Sequence, residues 1–293
     1  MSTMDTPHDT VQSGRVTTER DDLYYEVRGQ GPPLLLIPPA GGDGWLYASI
    51  AELLADTYKV ITYDRRANAR STGHAPQNFE ISQQSRDAVA VLRAVGEPSA
   101  FVVGNSSGAV IALDMAKTQP QAVRAVVAHE PPLARLHPQA KKWQRFFARV
   151  YLTALRFGST LAALRFILGI QVPVRQLIAA NREVNRHRRR SGEHYSSAKD
   201  TIDVLLKQEL LGVTNYLPDV ELIKKNGVRV FMAVGTWALE KKTWYAQAAH
   251  MLAEQLGCEL VTFPGHHGSY MDMPEEWAAT LRGVLHKAEA AGR

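Results

Sequence analysis

The chain has 293 residues, 45% of them hydrophobic and 22% charged, with a net charge of +5. That is the composition of a folded globular protein, and the length suits one large α/β domain carrying an insertion. The single cysteine, Cys258, excludes an internal disulfide and a cysteine-based metal site, and no apolar run approaches the roughly 18 residues that a membrane-spanning helix needs.

In chain order, residues 1–14 read as a disordered lead-in. Tyr24-Tyr25-Glu26-Val27 reads as a strand, and Arg28-Gly29-Gln30-Gly31 as the turn that ends it. Leu34-Leu35-Leu36-Ile37 is short and wholly apolar, as expected of a strand buried on both faces. Pro38-Pro39-Ala40-Gly41-Gly42 is a loop, rigid and then flexible. Residues 45–55 suit a helix, residues 58–63 a third strand, and Asp64 to Thr72 an arginine-rich loop. An amphipathic helix over 80–95 precedes the apolar strand at Phe101–Val103, a further helix reaching about Thr118, and a strand near Ala125–His129.

After Glu130-Pro131-Pro132 the alternation stops, and residues 133–216 show only helical patterning. Strand and helix alternate again from Val228–Val234, through a helix over 242–256 and a strand at Leu260–Phe263, to a final helix opening at Pro274. Strands alternating with helices predict a mostly parallel sheet covered on both sides, with core residues 15–132 and 217–293 and a helical cap over 133–216. The basic excess falls in residues 133–190, ending Arg186-His187-Arg188-Arg189-Arg190. No nucleic-acid fold signature accompanies it, so it reads as a solvated helix face, and no nucleic-acid partner is expected. The polar first twenty residues lack the apolar core of a secretory signal, which points to a cytoplasmic location.

Phe101-Val102-Val103 runs directly into Gly104-Asn105-Ser106-Ser107-Gly108, followed by an apolar helical run. This is G-x-S-x-G between a strand and a helix, the context in which a serine is held exposed on a sharp turn. A serine hydroxyl is a poor nucleophile at neutral pH and needs a base, which in turn needs an orienting acid. The loop Phe263-Pro264-Gly265-His266-His267-Gly268 offers two histidines beyond the last strand. His267, seven residues before Pro274, is the candidate base, with His266 as the alternative. The others stand elsewhere: His8 and His286 near the termini, His74 in the arginine-rich loop, His137, His187 and His194 in the cap, His250 on a helix, and His129 beside the acid candidate as its support. For the acid, the segment Ala233 to Glu240 lacks an aspartate where one would follow a strand, and Glu240 comes late. Glu130, at a strand's carboxyl end and followed by two prolines, is the candidate, with Glu240 as the alternative. Developing negative charge would be met by two backbone N–H groups, those of Ser107 and Ala40, with Gly41 next in line. Pro38 and Pro39 have no N–H to donate.

These residues resemble the α/β-hydrolase superfamily across nearly the whole chain, and most closely the fungal zearalenone lactonase type. The elbow Gly104-Asn105-Ser106-Ser107-Gly108-Ala109, the His129-Glu130 pair before a proline-bearing loop, and Pro264-Gly265-His266-His267 with Pro274 carry the likeness. So does the 24-residue spacing from Ser106 to Glu130. The resemblance implies Ser106 as nucleophile, Glu130 as acid, His267 as base, and Ala40 and Ser107 as oxyanion donors. Position 40 is alanine where that group carries glycine, and Ala67 and Ala69 stand where relatives often have glycines. The cap does not align with that group.

The expected activity is hydrolysis of a carboxylic ester or lactone through an acyl-enzyme, with no metal and no organic cofactor. A non-hydrolytic receptor, isomerase, lyase or acyltransferase on the same fold is the alternative class. The expected substrate is a small, apolar ester or lactone. Trp143, Phe147, Tyr151 and Trp237 are the candidate pocket residues, and an exposed apolar cap could support a homodimer.

Overall fold

The computed structural model describes residues 11–73 and 79–290; His8 and His74 lie outside them. Eight strands form one sheet: β1 (Gln12–Thr18), β2 (Asp21–Arg28), β3 (Pro33–Ile37), β4 (Lys59–Tyr63), β5 (Ala100–Asn105), β6 (Val123–His129), β7 (Arg229–Gly235) and β8 (Leu260–Phe263). The core helices before β6 are α1 (Ala48–Leu54), α2 (Ile81–Ala94) and α3 (Ser107–Thr118). Between β6 and β7 lie α4 (Ala140–Phe157), α5 (Ser159–Gly169), α6 (Val174–Ser191), α7 (Ala198–Asp203), a π-helical turn (Val204–Glu209), α8 (Leu210–Thr214) and α9 (Val220–Lys225). The chain closes with α10 (Thr236–Glu240), α11 (Trp244–Leu256) and α12 (Pro274–Ala290).

The strand order is β1-β2-β4-β3-β5-β6-β7-β8. β1, β2 and β4 pair antiparallel; from β4 through β8 every pairing is parallel. The expected fold is therefore the one observed. Side-chain alternation builds its two layers. Leu35, Ile37 and Val102 point into one apolar cluster shared with α2, α3 and α11, whereas Leu34, Leu36, Phe101 and Val103 point into a second shared with α1 and α12.

The sequence reading of residues 1–14 as a disordered lead-in needs correction, because residues 12–14 belong to β1; residues 1–10 lie outside the described ones. β1 is an edge strand of alternating exposed and half-buried residues, with too few apolar side chains to announce itself. Its hairpin turn is Glu19-Arg20, both at positive φ (47° and 76°), a conformation that usually advertises itself with Asn or Gly.

The chain passes from β3 to β4 on one side and then to β5 on the other, so the order reverses between β3 and β5. The crevice at the carboxyl ends of strands flanking such a reversal is where α/β sheets place ligands. The loop Pro38–Gly42 and Ser106 lie there.

Candidate active site

Ser106 sits between β5 and α3 at φ 54° and ψ −120°, a conformation L-residues avoid. Its amide donates to the His129 carbonyl at 2.9 Å, which ties the turn to β6. The flanking glycines are required by contact. A Cβ on Gly104 would lie 2.2 Å from the Gly108 carbonyl oxygen, and one on Gly108 would lie 2.2 Å from the Ile37 oxygen. Strand, turn and helix can close only without those side chains. Ser107 is the first residue of α3, so its N–H belongs to the positive end of a helix dipole.

Glu130 follows β6, also in the left-handed region at φ 49°. Its amide donates to the Ala233 carbonyl at 2.9 Å, extending the β6–β7 pairing by one bond and turning the side chain inward. The carboxylate is fully buried. One oxygen, Oε1, accepts the Gly235 N–H at 2.8 Å, and the other, Oε2, lies 2.5 Å from His267 Nδ1. A carboxylate can only accept there, so Nδ1 carries the proton and Nε2 is left with a free lone pair. Burial pushes the Glu130 carboxyl up, but the His129 and His267 imidazoles and the Gly235 N–H outweigh it and hold the group below the ordinary carboxylate range.

Gly235, the last residue of β7, has no room for a side chain. A Cβ there would meet the Gly265 oxygen at 2.8 Å and Glu130 Oε1 at 3.2 Å. The carboxylate at this end of the sheet is Glu130, on the neighbouring strand, and Gly235, with no side chain, leaves room for it. Glu240, the alternative acid, is exposed at the end of α10.

His266, the alternative base, is buried and shapes the loop: its Nδ1 accepts the Gly268 N–H at 3.1 Å, and its Nε2 lies 3.0 Å from Asp272. His129 is fully buried, and that desolvation lowers its pKa to about 4. Asn105 Nδ2 donates to His129 Nδ1 at 2.7 Å and to the His267 carbonyl at 3.0 Å, so one amide ties β6 to the histidine loop.

A cavity of about 230 Å³ lies over these groups, lined by Ser106, Ser107, Ala40, Glu130 and His267 and roofed by apolar side chains of α4–α6, among them Phe147, Phe166 and Leu177. Phe147 is thus on its wall, as expected. Trp143, Tyr151, Trp237 and Gly41 are not among the lining residues. Trp143 is buried against Trp244, ring centroids 5.0 Å apart, because its side of α4 packs inside the helical layer. Tyr151 packs half-buried on the same core. Trp237 stands half-buried on α10 with its amide bonded to the Gly265 carbonyl at 2.9 Å. A Cβ on Gly41 would lie 3.5 Å from the Thr201 methyl of α7.

The arginine-rich loop supplies what sequence reasoning missed. Ala67 and Ala69 take φ of 61° and 48°, so the loop keeps a left-handed backbone even with alanines. Arg66 is buried between Asp21 and Asp87, and Arg70 between Asp64 and Glu26. Arg65 reaches under the cavity. Its Nη2 donates to the Pro39 carbonyl at 2.7 Å and to Ser107 Oγ at 3.2 Å, and its Nη1 to Gln84 at 2.8 Å. Its charge is met by Glu209 of the π-helical turn, and both side chains are 1% exposed. One guanidinium therefore braces the residue before Ala40 and the side chain of Ser107. Only Asn105 of these carried a local signal, being inside the elbow; Glu209 had none.

Among the described residues no group of three or more His, Cys, Asp or Glu could hold a metal ion, and no helix is long and apolar enough to cross a membrane.

The sequence profile of the alpha/beta hydrolase fold matches residues 32–207. The chain is 28% identical over 284 residues to the uncharacterized hydrolase YraK of Bacillus subtilis, covering 95% of this chain and 97% of that one. Its structure is similar to that of a thermophilic esterase from Thermogutta terrifontis, with TM-score 0.72 and 18% identity over 94% of this chain and 99% of the other. It is also similar to the enol-lactonase from Burkholderia xenovorans, with TM-score 0.69 and 18% identity over 93% and 100%. At such identity the structural likeness speaks to fold alone. The profile match over more than half the length, on a parallel sheet with a strained serine turn after β5, shows that the chain belongs to the α/β-hydrolase fold family.

Proposed function

We propose that the chain is a serine hydrolase acting on a carboxylic ester or lactone, with Ser106 as nucleophile, His267 as base and Glu130 as acid. The observation that carries this reading is the 2.5 Å contact between His267 Nδ1 and buried Glu130, on the wall of the cavity that Ser106 also lines. With Nδ1 protonated, Nε2 takes the Ser106 proton as the oxygen attacks the substrate carbonyl. The Ala40 and Ser107 N–H groups receive the charge on the tetrahedral oxygen, where loss of one donor typically costs about 10²–10³ in rate. His267 then returns the proton to the departing alcohol and, in the second half, activates water to release the acid. Glu130 stays ionised throughout, stabilising the imidazolium.

Residues 133–216 are proposed as the cap over this site. Its apolar roof favours a small apolar substrate, and the lactonase resemblance and the enol-lactonase neighbour make lactones the first class to try. The test is hydrolysis of p-nitrophenyl acetate, a longer acyl ester and a resorcylic macrolactone by wild type and Ser106→Ala. Turnover that vanishes in the variant, with the fold intact by circular dichroism, is the expected result. Undiminished turnover in Ser106→Ala overturns the assignment.

A further inference from the structure

The outer side of the helical layer is unlike the rest of the surface. Eight of the twelve large apolar side chains exposed among the described residues lie on α4, α5 and α6. Phe157 is 71% exposed and Leu168 79%, with Leu155, Leu161, Leu164 and Ile178 each at least half exposed. α4 and α5 pack on one another, so their exposed residues belong to one surface. Scattered apolar residues need no explanation, but such a concentration does.

Charge is concentrated on the same helices. Residues 140–191 hold twelve Lys and Arg against a single Glu, a net charge of +11, so the rest of the chain is net −6. The one carboxylate, Glu183, is engaged by Arg186. Arg149, Arg156, Arg165 and Arg175, on the same three helices, are exposed.

We propose that this face docks on an anionic lipid surface, with Phe157, Leu164 and Leu168 entering the acyl boundary and the arginines meeting the headgroups. Such a surface offers both halves of the complement. A second copy of the chain would satisfy the apolar residues but bring two strongly basic helical layers together. A nucleic acid would satisfy the arginines and leave the leucines in water. Basic helices with exposed Leu and Phe bind in the plane of a bilayer interface without crossing it, which agrees with the lack of a spanning helix among the described residues. The same three helices present Phe147, Phe166 and Leu177 to the cavity on their inner side. A docked cap would therefore be a single helical layer between lipid and cavity. The proposal does not depend on the hydrolase reading.

The test is co-sedimentation of the full chain with vesicles of phosphatidylcholine alone and of phosphatidylcholine mixed with phosphatidylglycerol. The expected result is binding to the mixed vesicles and weaker or no binding to the neutral ones, lost as salt shortens the Debye length from about 10 Å at 0.1 M to about 3 Å at 1 M. Phe157→Ser/Leu168→Ser should weaken binding roughly tenfold or more, and Arg149→Glu/Arg156→Glu by a similar factor, with circular dichroism unchanged in both. Three results would overturn the proposal: no binding to mixed vesicles, binding that the apolar pair of substitutions leaves untouched, or a stable dimer in sedimentation that Phe157→Ser/Leu168→Ser dissociates.

Discussion

Arg65 and Glu209 form a buried ion pair whose two halves do different things, and substitution can separate them. Both side chains are 1% exposed, so replacing Glu209 by Leu strands a guanidinium in a low-dielectric interior. Removing one partner of such a pair typically costs about 3–5 kcal/mol. For a domain of this size that lowers the melting temperature by roughly 10 °C. Replacing both, as Arg65→Met/Glu209→Leu, removes the stranded charge together with its partner, and most of the stability should return. Activity should diverge. Glu209→Leu leaves Arg65 bonded to the Pro39 carbonyl at 2.7 Å and Ser107 Oγ at 3.2 Å. The double variant loses both, and a loosened oxyanion loop should lower kcat on the order of 10²-fold. The assay is urea denaturation and ester turnover on wild type, both single variants and the double. The reasoning fails if the double variant is as unstable as the sum of the singles, or if it is stable with kcat at the wild-type level.

Three further predictions follow from particular residues. In Glu130→Gln the side-chain oxygen should stay on the Gly235 N–H, so the amide would donate to His267 Nδ1 and impose the wrong tautomer; kcat should fall on the order of 10⁴-fold with little change in KM, and a loss below tenfold would count against Glu130 as the acid. Ala67→Gly should stabilise the fold by about 1 kcal/mol, since an alanine held at φ 61° is relieved of left-handed strain; a lower melting temperature would contradict this. His129 is held neutral by burial, its pKa lowered from 6.5 to about 4, so the unfolded chain takes up a proton first as pH falls. Its stabilising contribution is complete above 6.5 and is lost toward 4, about 2 kcal/mol of it between pH 7 and 5. Urea midpoints at those two pH values should show that slope in wild type and lose it in His129→Gln; equal slopes would refute the assignment.

The strands β3 to β8 were legible because each is a short apolar run whose neighbours change the period from two to about four. β1 was not, because an edge strand buries little and its turn uses Glu19 and Arg20 where glycine or asparagine would have signalled it. The three residues brought together at the cavity, Ser106, Glu130 and His267, could each be singled out, because each follows a strand's carboxyl end in a loop of marked composition. Choosing Glu130 over Glu240 and His267 over His266 from sequence rested on spacing and likeness; the structure adds a physical contrast, a buried carboxylate against an exposed one and a cavity-facing imidazole against one locked into its own turn. The pocket aromatics were the least legible. Helical spacing says that Trp143, Phe147 and Tyr151 share a side of α4 but not which neighbour that side meets, and only Phe147 reaches the cavity.

By itself, then, the sequence determined the alternation of strand and helix, the glycine-bounded serine turn and the loops that carry the carboxylate and the imidazoles. All of these are local, written in periodicity and in residues that tolerate unusual backbone. Tertiary structure alone decided that Arg65 bonds the Pro39 carbonyl and meets Glu209 from 144 residues away. It likewise decided that Gly235 stands empty so that Glu130 can fill its place, and that the basic helices turn leucines outward. Those outcomes depend on which surfaces meet when the sheet closes, and no local pattern encodes a partner so distant along the chain.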